Sequence, residues 1–318
     1  MPEWAVPAAL PLSDDLRDPE PVVQRRAVRR LVDSTNWLGL RWPELVDAFM
    51  ALGRADIPLA RLTEGHVDAL RILTEAAVEP VGDALYGVWA SRSGGTGLTI
   101  TRDGDRWRLD GRLLFASGAG LLDRALVTAR TPDGSTHVLL DCAVRDWPFD
   151  TADWRTRAME LSRSHRTQLA QPVEARRIGA DNFYLDRWGF HPGGIGVAAV
   201  WTGGSARVLD LLGERAGNED QKAARLGRAR TELLTAVALV RQAAIAVQCR
   251  PIDPRPVATV CRAGVAAAVR RLLDEVRVLA GPAGLAFDEP LTRAVDDLAM
   301  FVAQQGVDSD ARYLGGRP

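Results

Sequence analysis

The hydrophobic periodicity of this chain changes twice along its length, and each change marks a different kind of packing. From about Pro19 to Glu79 apolar residues recur at helical spacing. Val22, Val23, Ala27, Leu31 and Val32 share one face, and Leu45, Val46, Phe49, Met50 and Leu52 continue after a helix start at Trp42-Pro43-Glu44. Leu59, Leu62, Val67, Leu70 and Leu73 predict a third helix over Pro58 to Ala76, and Pro80-Val-Gly82 ends the run. From about Ala84 to Tyr184 the period shortens to that of strands: Leu98–Thr101, Trp107–Leu109, Leu113–Phe115, Arg124–Ala129 and Thr136–Leu140, with Gln168–Glu174 and Asn182–Leu185 completing the set. Asp103-Gly104, Asp110-Gly111 and Asp133-Gly134 are read as hairpin turns between them. From about Gly193 the pattern is helical again, over Gly196–Leu212, Glu219–Val247, Ala258–Ala280 and Glu289 to about Gln305.

This order predicts an α+β chain with N-terminal helices (1–82), a central antiparallel β-barrel or sandwich domain (83–187) and a C-terminal four-helix bundle (188–318). Forty basic against forty-one acidic residues leave a net charge of −1 with no clustered basic tract, which argues against nucleic acid or an anionic membrane as partner. No apolar run reaches the roughly 18 residues of a membrane-spanning helix. The start, Met1-Pro-Glu-Trp-Ala, lacks the features of a signal peptide, so a soluble, cytoplasmic protein is expected. Cys142, Cys249 and Cys261 are widely spaced and read as buried small apolar residues, with no disulfide framework or metal site.

Several motif-like stretches carry little chemistry on their own. Gly194-Ile-Gly196-Val-Ala-Ala199 matches a dinucleotide-binding spacing, but no strand precedes it, and close helix packing is the better reading. Glu64-Gly-His66-Val-Asp68 places Glu64 and Asp68 on one helical face with His66 elsewhere, which predicts a solvated or capping role. His137 alternates within a strand, while His165 and His191 are isolated. Ser117 lacks the Gly-x-Ser-x-Gly surroundings of a hydrolase nucleophile.

The stretch from Tyr86 to Arg130 is more specific. Gly87-Val-Trp-Ala-Ser91, Leu98-Thr-Ile100, Trp107-Arg-Leu-Asp-Gly-Arg112, Phe115-Ala-Ser-Gly-Ala119 and Asp123-Arg-Ala-Leu-Val-Thr-Ala129 follow one another in order. Together they resemble the middle β domain of the acyl-CoA dehydrogenase superfamily. Leu62–Ala69 resembles the helix before that domain, and Trp201–Ala206 the start of the first C-terminal helix. Ala280-Gly-Pro-Ala-Gly284 with Pro290-Leu-Thr-Arg293 and Val295-Asp-Asp297 resembles the family's later glycine-rich and Pro-x-x-Arg run. The resemblance implies FAD binding. Trp89, Ala90 and Ser91 would lie on the strand beside the isoalloxazine, Phe115 would pack on the ring, and Ser117 would sit near its reactive nitrogen. Gly281 and Gly284 would let backbone approach the diphosphate. Ordinary readings of the same residues are barrel core for Phe115, a turn for Ser117 and helix caps for the glycines.

The chain also departs from the family pattern. Counted from Asp297, the family's catalytic glutamate falls on Gln305, and an amide cannot act as a base. No Asp or Glu lies between Asp186 and Asp210, where an alternative base would stand, so the catalytic residue is left open. Arg92 interrupts the Thr-Glu-Pro stretch, and Gly213-Glu-Arg-Ala-Gly-Asn218 replaces the family's Arg-x-x-Phe-Gly element. The N-terminal helical domain is short. The leading expectation is a flavin-dependent oxidoreductase acting on an acyl thioester or another small molecule, as a homo-dimer, a homo-tetramer or a hetero-oligomer. The alternatives are a flavin-dependent monooxygenase on the same scaffold, which needs no carboxylate base, and an accessory subunit that has lost the cofactor.

Overall fold

Proline opens the early helices in this computed structural model, which describes residues 6–12, 20–91, 93–213 and 220–316. Helices α1 (Pro21–Asp33), α2 (Trp42–Ala55) and α3 (Ile57–Glu75) each carry proline in the first turn, where its missing N–H costs no hydrogen bond. Asp56 alone separates α2 from α3. Its backbone N–H closes α2 on the Leu52 carbonyl, and its carboxylate caps α3 by accepting the Leu59 N–H at 3.0 Å.

Seven strands follow: β1 (Tyr86–Trp89), β2 (Gly97–Asp103), β3 (Arg106–Ala116), β4 (Arg124–Arg130), β5 (His137–Ala143), β6 (His165–Val173) and β7 (Ala175–Ile178). They form one sheet in the order β6-β3-β2-β4-β5-β7, with β1 also on β4. The sheet is mixed rather than antiparallel throughout, because β1 and β2 both run parallel to β4, end to end. Trp89 pairs with Val127 and Leu98 with Ala129, so Ala90, Ser91 and residues 93–96 lie outside the strands while β4 advances by one residue, Thr128.

The Asp110-Gly111 pair is not a turn. It lies inside β3, where Gly111 takes φ +127 opposite Leu98. A Cβ there would stand 2.3 Å from the Gly97 carbonyl oxygen, so the glycine serves close strand approach. Asn182–Leu185 is not a strand either. Asn182 pairs both its backbone N–H and its side-chain oxygen with His137, and the chain then makes one helical turn, α4 (Phe183–Asp186), while β7 takes the last ladder position.

The remaining helices are α5 (Phe190–Gly213), α6 (Asp220–Gln248), α7 (Arg255–Phe287), α8 (Glu289–Val302) and α9 (Val307–Leu314). Helix α5 begins six residues before the expected start. Helix α7 runs past its expected end through a kink at Gly281 (φ 60, ψ −178) with Pro282 behind it. One apolar core joins α2 to α5–α8, and a second fills the sheet interior around Leu109, Leu113 and Val127. A third lies where α3 covers Tyr86, Leu126, Leu139 and Ile178. Where α2 crosses α5, a Cβ on Gly203 would stand 2.1 Å from the Met50 carbonyl oxygen, so the two backbones nearly touch. Gly196, one of the glycines of the dinucleotide-like stretch, packs against Phe49 inside α5. Among the described residues, α5 is also long and apolar enough by length and composition to cross a membrane, against expectation, and most of that stretch is buried inside the protein. Cys142 and Cys261 are buried as expected, but Cys249 is exposed at the end of α6.

Candidate functional site

Of the strand residues named for a flavin, Trp89 and Ser117 meet at one corner of the sheet. Trp89 ends β1 with its indole inside the domain core, 1% exposed, against Trp147 (5.7 Å) and Phe149 (5.9 Å). Its Nε1–H donates to the Ser117 carbonyl at 2.9 Å, which ties the end of β1 to the turn after β3. Only the backbone of Trp89 is therefore placed to meet a ligand. Ala90 and Ser91 start the excursion that leaves the sheet, and Arg92 lies outside the described residues.

The Ser117 hydroxyl is buried and joins a chain of hydroxyls. Its Oγ is 2.8 Å from Ser164 Oγ, which is 2.7 Å from Ser162 Oγ, and Ser162 donates to the Met159 carbonyl. Phe115, two residues earlier, is 39% exposed and meets the Trp154 ring edge-on at 6.5 Å. A half-exposed phenyl ring with a buried hydroxyl two residues on is an arrangement against which a flat aromatic cofactor can stack. Gly281 and Gly284 belong to the last turns of α7, and no hydrogen bond among the described residues ties them to that corner. A Cβ on Gly281 would meet nothing within 4 Å. The Gly213–Asn218 stretch lies, beyond Gly213 itself, outside the described residues.

Gln305 is buried and both ends of its amide are engaged. Arg270 Nη1 donates to its Oε1 at 3.0 Å, and its Nε2 donates to Asp310 Oδ2 at 2.7 Å. It fastens α7 to α9.

The structure adds a polar cavity that the sequence reading missed. Glu64 and Asp68, one turn apart on α3, line two adjoining hollows of about 200 and 320 Å³. The expected solvated role is overturned: Glu64 is 5% exposed, and His66 is 7% exposed with its Nδ1 accepting the Tyr86 N–H at 3.1 Å. Burial pushes the Glu64 carboxyl up to about 7, although Arg61 Nη1 stands 2.8 Å away and opposes the shift. Burial raises Asp68 as well, against the pull of Arg187, whose guanidinium lies 3.4 Å from Asp68 and 2.8 Å from Glu75. His66 moves the other way, down to about 4, because burial and the nearby Arg29 disfavour its charged form. None of Trp89, Ala90, Ser91, Phe115, Ser117, Gly281 or Gly284 lines either hollow. A usable signal was present in the sequence: α3 has apolar residues around most of its circumference, so an acidic pair on it has to be buried somewhere. Among the described residues, no group of three or more His, Cys, Asp or Glu side chains could hold a metal ion.

The sequence matches no protein-family model and no curated protein. Its fold is nevertheless shared with solved structures. XiaF from Streptomyces sp., in complex with FADH2 and glycerol, is 18% identical, over 92% of this chain and 87% of XiaF, at a TM-score of 0.77. TdsC from Paenibacillus sp. A11-2, a dibenzothiophene monooxygenase solved with FMN and indole, is 18% identical, over 93% and 90%, at 0.77. The ChsE4–ChsE5 complex from Mycobacterium tuberculosis is 19% identical, over 92% and 87%, at 0.70. Helices before and after a seven-stranded mixed sheet, matched over nine tenths of the chain, give this protein the α+β fold of the acyl-CoA dehydrogenase-like proteins.

Proposed function

We propose that the protein is a flavin-dependent oxidoreductase that holds its isoalloxazine against Phe115 and Ser117 and oxygenates a small organic substrate. The observation that carries the choice of chemistry is Gln305. Removing a proton beside a thioester carbonyl needs a base, and an amide held by Arg270 and Asp310 offers no proton acceptor and no freedom to turn. The same fold in XiaF, solved with FADH2, and in TdsC, a monooxygenase solved with FMN, supports the reading.

The flavin, when bound, supplies the redox chemistry. The chain's own part is positional. Phe115 shields one ring face from water, the Ser117 hydroxyl offers a hydrogen bond at the ring edge, and the Ala90–Ser91 backbone borders the ring. FAD would in addition engage Gly281 and Gly284 through its diphosphate, whereas FMN would leave them unused. A multimer of this chain or a pairing with a sister chain goes with this reading, as ChsE4 and ChsE5 form a complex. A second reading, acyl-thioester oxidation, is favoured by Glu64, a buried carboxyl lining the cavity and able to serve as the missing base.

The test starts with the visible spectrum of the purified protein after incubation with FAD or FMN and gel filtration. Bound flavin that turns over oxygen only alongside a flavin reductase supports the monooxygenase. Bleaching by an acyl-CoA without added reductant selects the second reading. A protein that retains neither flavin refutes both and leaves the accessory-subunit reading. Phe115→Ala should weaken flavin binding about tenfold, roughly 1.4 kcal/mol, and unchanged affinity would remove Phe115 from the site.

A further inference from the structure

The larger hollow, about 320 Å³, is walled by α3, α4, the start of α5, the first turns of α7, the segment after α8, and α9. Two guanidiniums, Arg255 and Arg262, enter it from α7. Seven residues apart, they lie two turns apart on one helix face. Neither has a carboxylate within 4 Å among the described residues.

Arg262 makes one described hydrogen bond, from Nη2 to the Gln304 carbonyl at 3.3 Å, and its buried Nε has no acceptor. Burial lowers its pKa, which is the mark of a charge short of compensation. Arg255 lies over the Tyr313 ring at 3.9 Å. The acids of the cavity are otherwise engaged. Glu64 is held by Arg61, Asp68 faces Arg187, and Asp310 accepts from Gln305. Two cations thus face a partly open hollow with no ion-paired carboxylate of their own, Arg262 feeling Asp310 and Glu64 only at longer range, an arrangement that a ligand carrying negative charge would relieve.

Four rings also line the cavity, among small and polar residues. Tyr184 meets Phe190 edge-on at 5.4 Å, Phe190 meets His191 at 5.1 Å, and Tyr313 closes the side beneath Arg255. Planar guanidinium forks match a carboxylate, and edge-on rings match a flat apolar body. The volume lies at the small end for ligand pockets, which suits a single ring. We propose that this cavity binds a small aromatic carboxylate, with its carboxylate on Arg262 and Arg255 and its ring among Tyr184, Phe190 and Tyr313. The site stands apart from the flavin reading, since no residue assigned to flavin lines it, and it is tested without turnover.

The experiment is titration calorimetry of the full chain with benzoate, benzamide and acetate, run with and without added flavin. Benzoate should bind at least about tenfold more tightly than benzamide, which lacks the charge, and than acetate, which lacks the ring. That ratio corresponds to about 1.4 kcal/mol in each comparison. Arg262→Gln should bring benzoate down to the benzamide level while leaving benzamide unchanged. Should that variant fail to fold, Arg255→Gln at the helix start carries the same test, with a loss of about threefold or more. Benzoate binding no tighter than either control, no binding at all, or full benzoate affinity in the folded arginine variant would overturn the assignment. A protein that takes benzoate but no flavin would keep this site and reject the flavin reading.

Discussion

Replacing Gly203 with alanine places a methyl group where α5 crosses α2, and the structure sets the size of the insult. The new Cβ would lie 2.1 Å from the Met50 carbonyl oxygen, 2.8 Å from its carbon and 2.9 Å from the Arg54 nitrogen. A carbon–oxygen contact needs about 3.3 Å, so the helices must part by more than about 1 Å. All three obstructing atoms are backbone, and no rotamer change can relieve them. A gap of that size forfeits roughly a quarter to a half of the dispersion attraction across it, here between side chains such as Phe49, Met50 and Trp201. Overpacking costs about 1–3 kcal/mol, and a rigid backbone clash belongs at the upper end. Crediting alanine with about 1 kcal/mol of helix propensity leaves a net loss of about 2 kcal/mol. Gly227, exposed in the interior of α6 with nothing within 4 Å of its added Cβ, is the matched control. There the same substitution should stabilise by about 1 kcal/mol. Urea titrations of both variants should therefore bracket the parent protein, separated by about 3 kcal/mol at unchanged m. Equal stability of Gly203→Ala and the parent, or shifts of the same sign in both variants, would refute the close crossing.

Two further perturbations test the packing of the sheet. Asp141 is fully buried and accepts from Arg124 Nε at 2.7 Å, Arg176 Nε at 2.8 Å and the Tyr86 hydroxyl at 3.0 Å. Asp141→Asn should cost about 3 kcal/mol by leaving Arg124 without its buried partner, and a thermal melt showing a loss under about 1 kcal/mol would count against the network. His66 has a pH signature. Its folded pKa of about 4 lies below the ordinary 6.5, so the unfolded chain binds more protons and stability falls as pH drops from 6.5 towards 4. At pH 5 that loss is about 2 kcal/mol relative to pH 7.5. Glu64 and Asp297, both raised to about 7 chiefly by burial, act in the opposite sense, losing stability as pH rises through 7. The comparison is therefore made against His66→Gln: the advantage of the parent over the variant should shrink by about 2 kcal/mol at pH 5, and a pH-independent difference would exclude a buried neutral imidazole.

The sequence by itself determined the order of elements. Apolar spacing, proline in first turns and Asp-Gly punctuation act within a few residues, and α2, α3, β4 and β5 lie where those signals put them. The resemblance carried by Tyr86–Arg130 led to the same overall architecture. Local signals failed where a distant segment decides the outcome. Asp110-Gly111 reads as a turn until β2 is laid beside it, when the glycine proves to be spacing for Gly97. Phe183-Tyr-Leu185 reads as a strand until Asn182 takes up the His137 backbone and turns the chain away. Gly281-Pro282 reads as a helix end, yet α7 resumes beyond the kink. The polar cavity was the least legible feature. A glutamate on a helix is solvated by default, and Glu64 is buried because α5 and α7, more than a hundred residues further on, close over it. Periodicity records which face of an element is covered. Only the tertiary structure decides what covers it, and with that which carboxylates are neutralised and which arginines are left facing an open space.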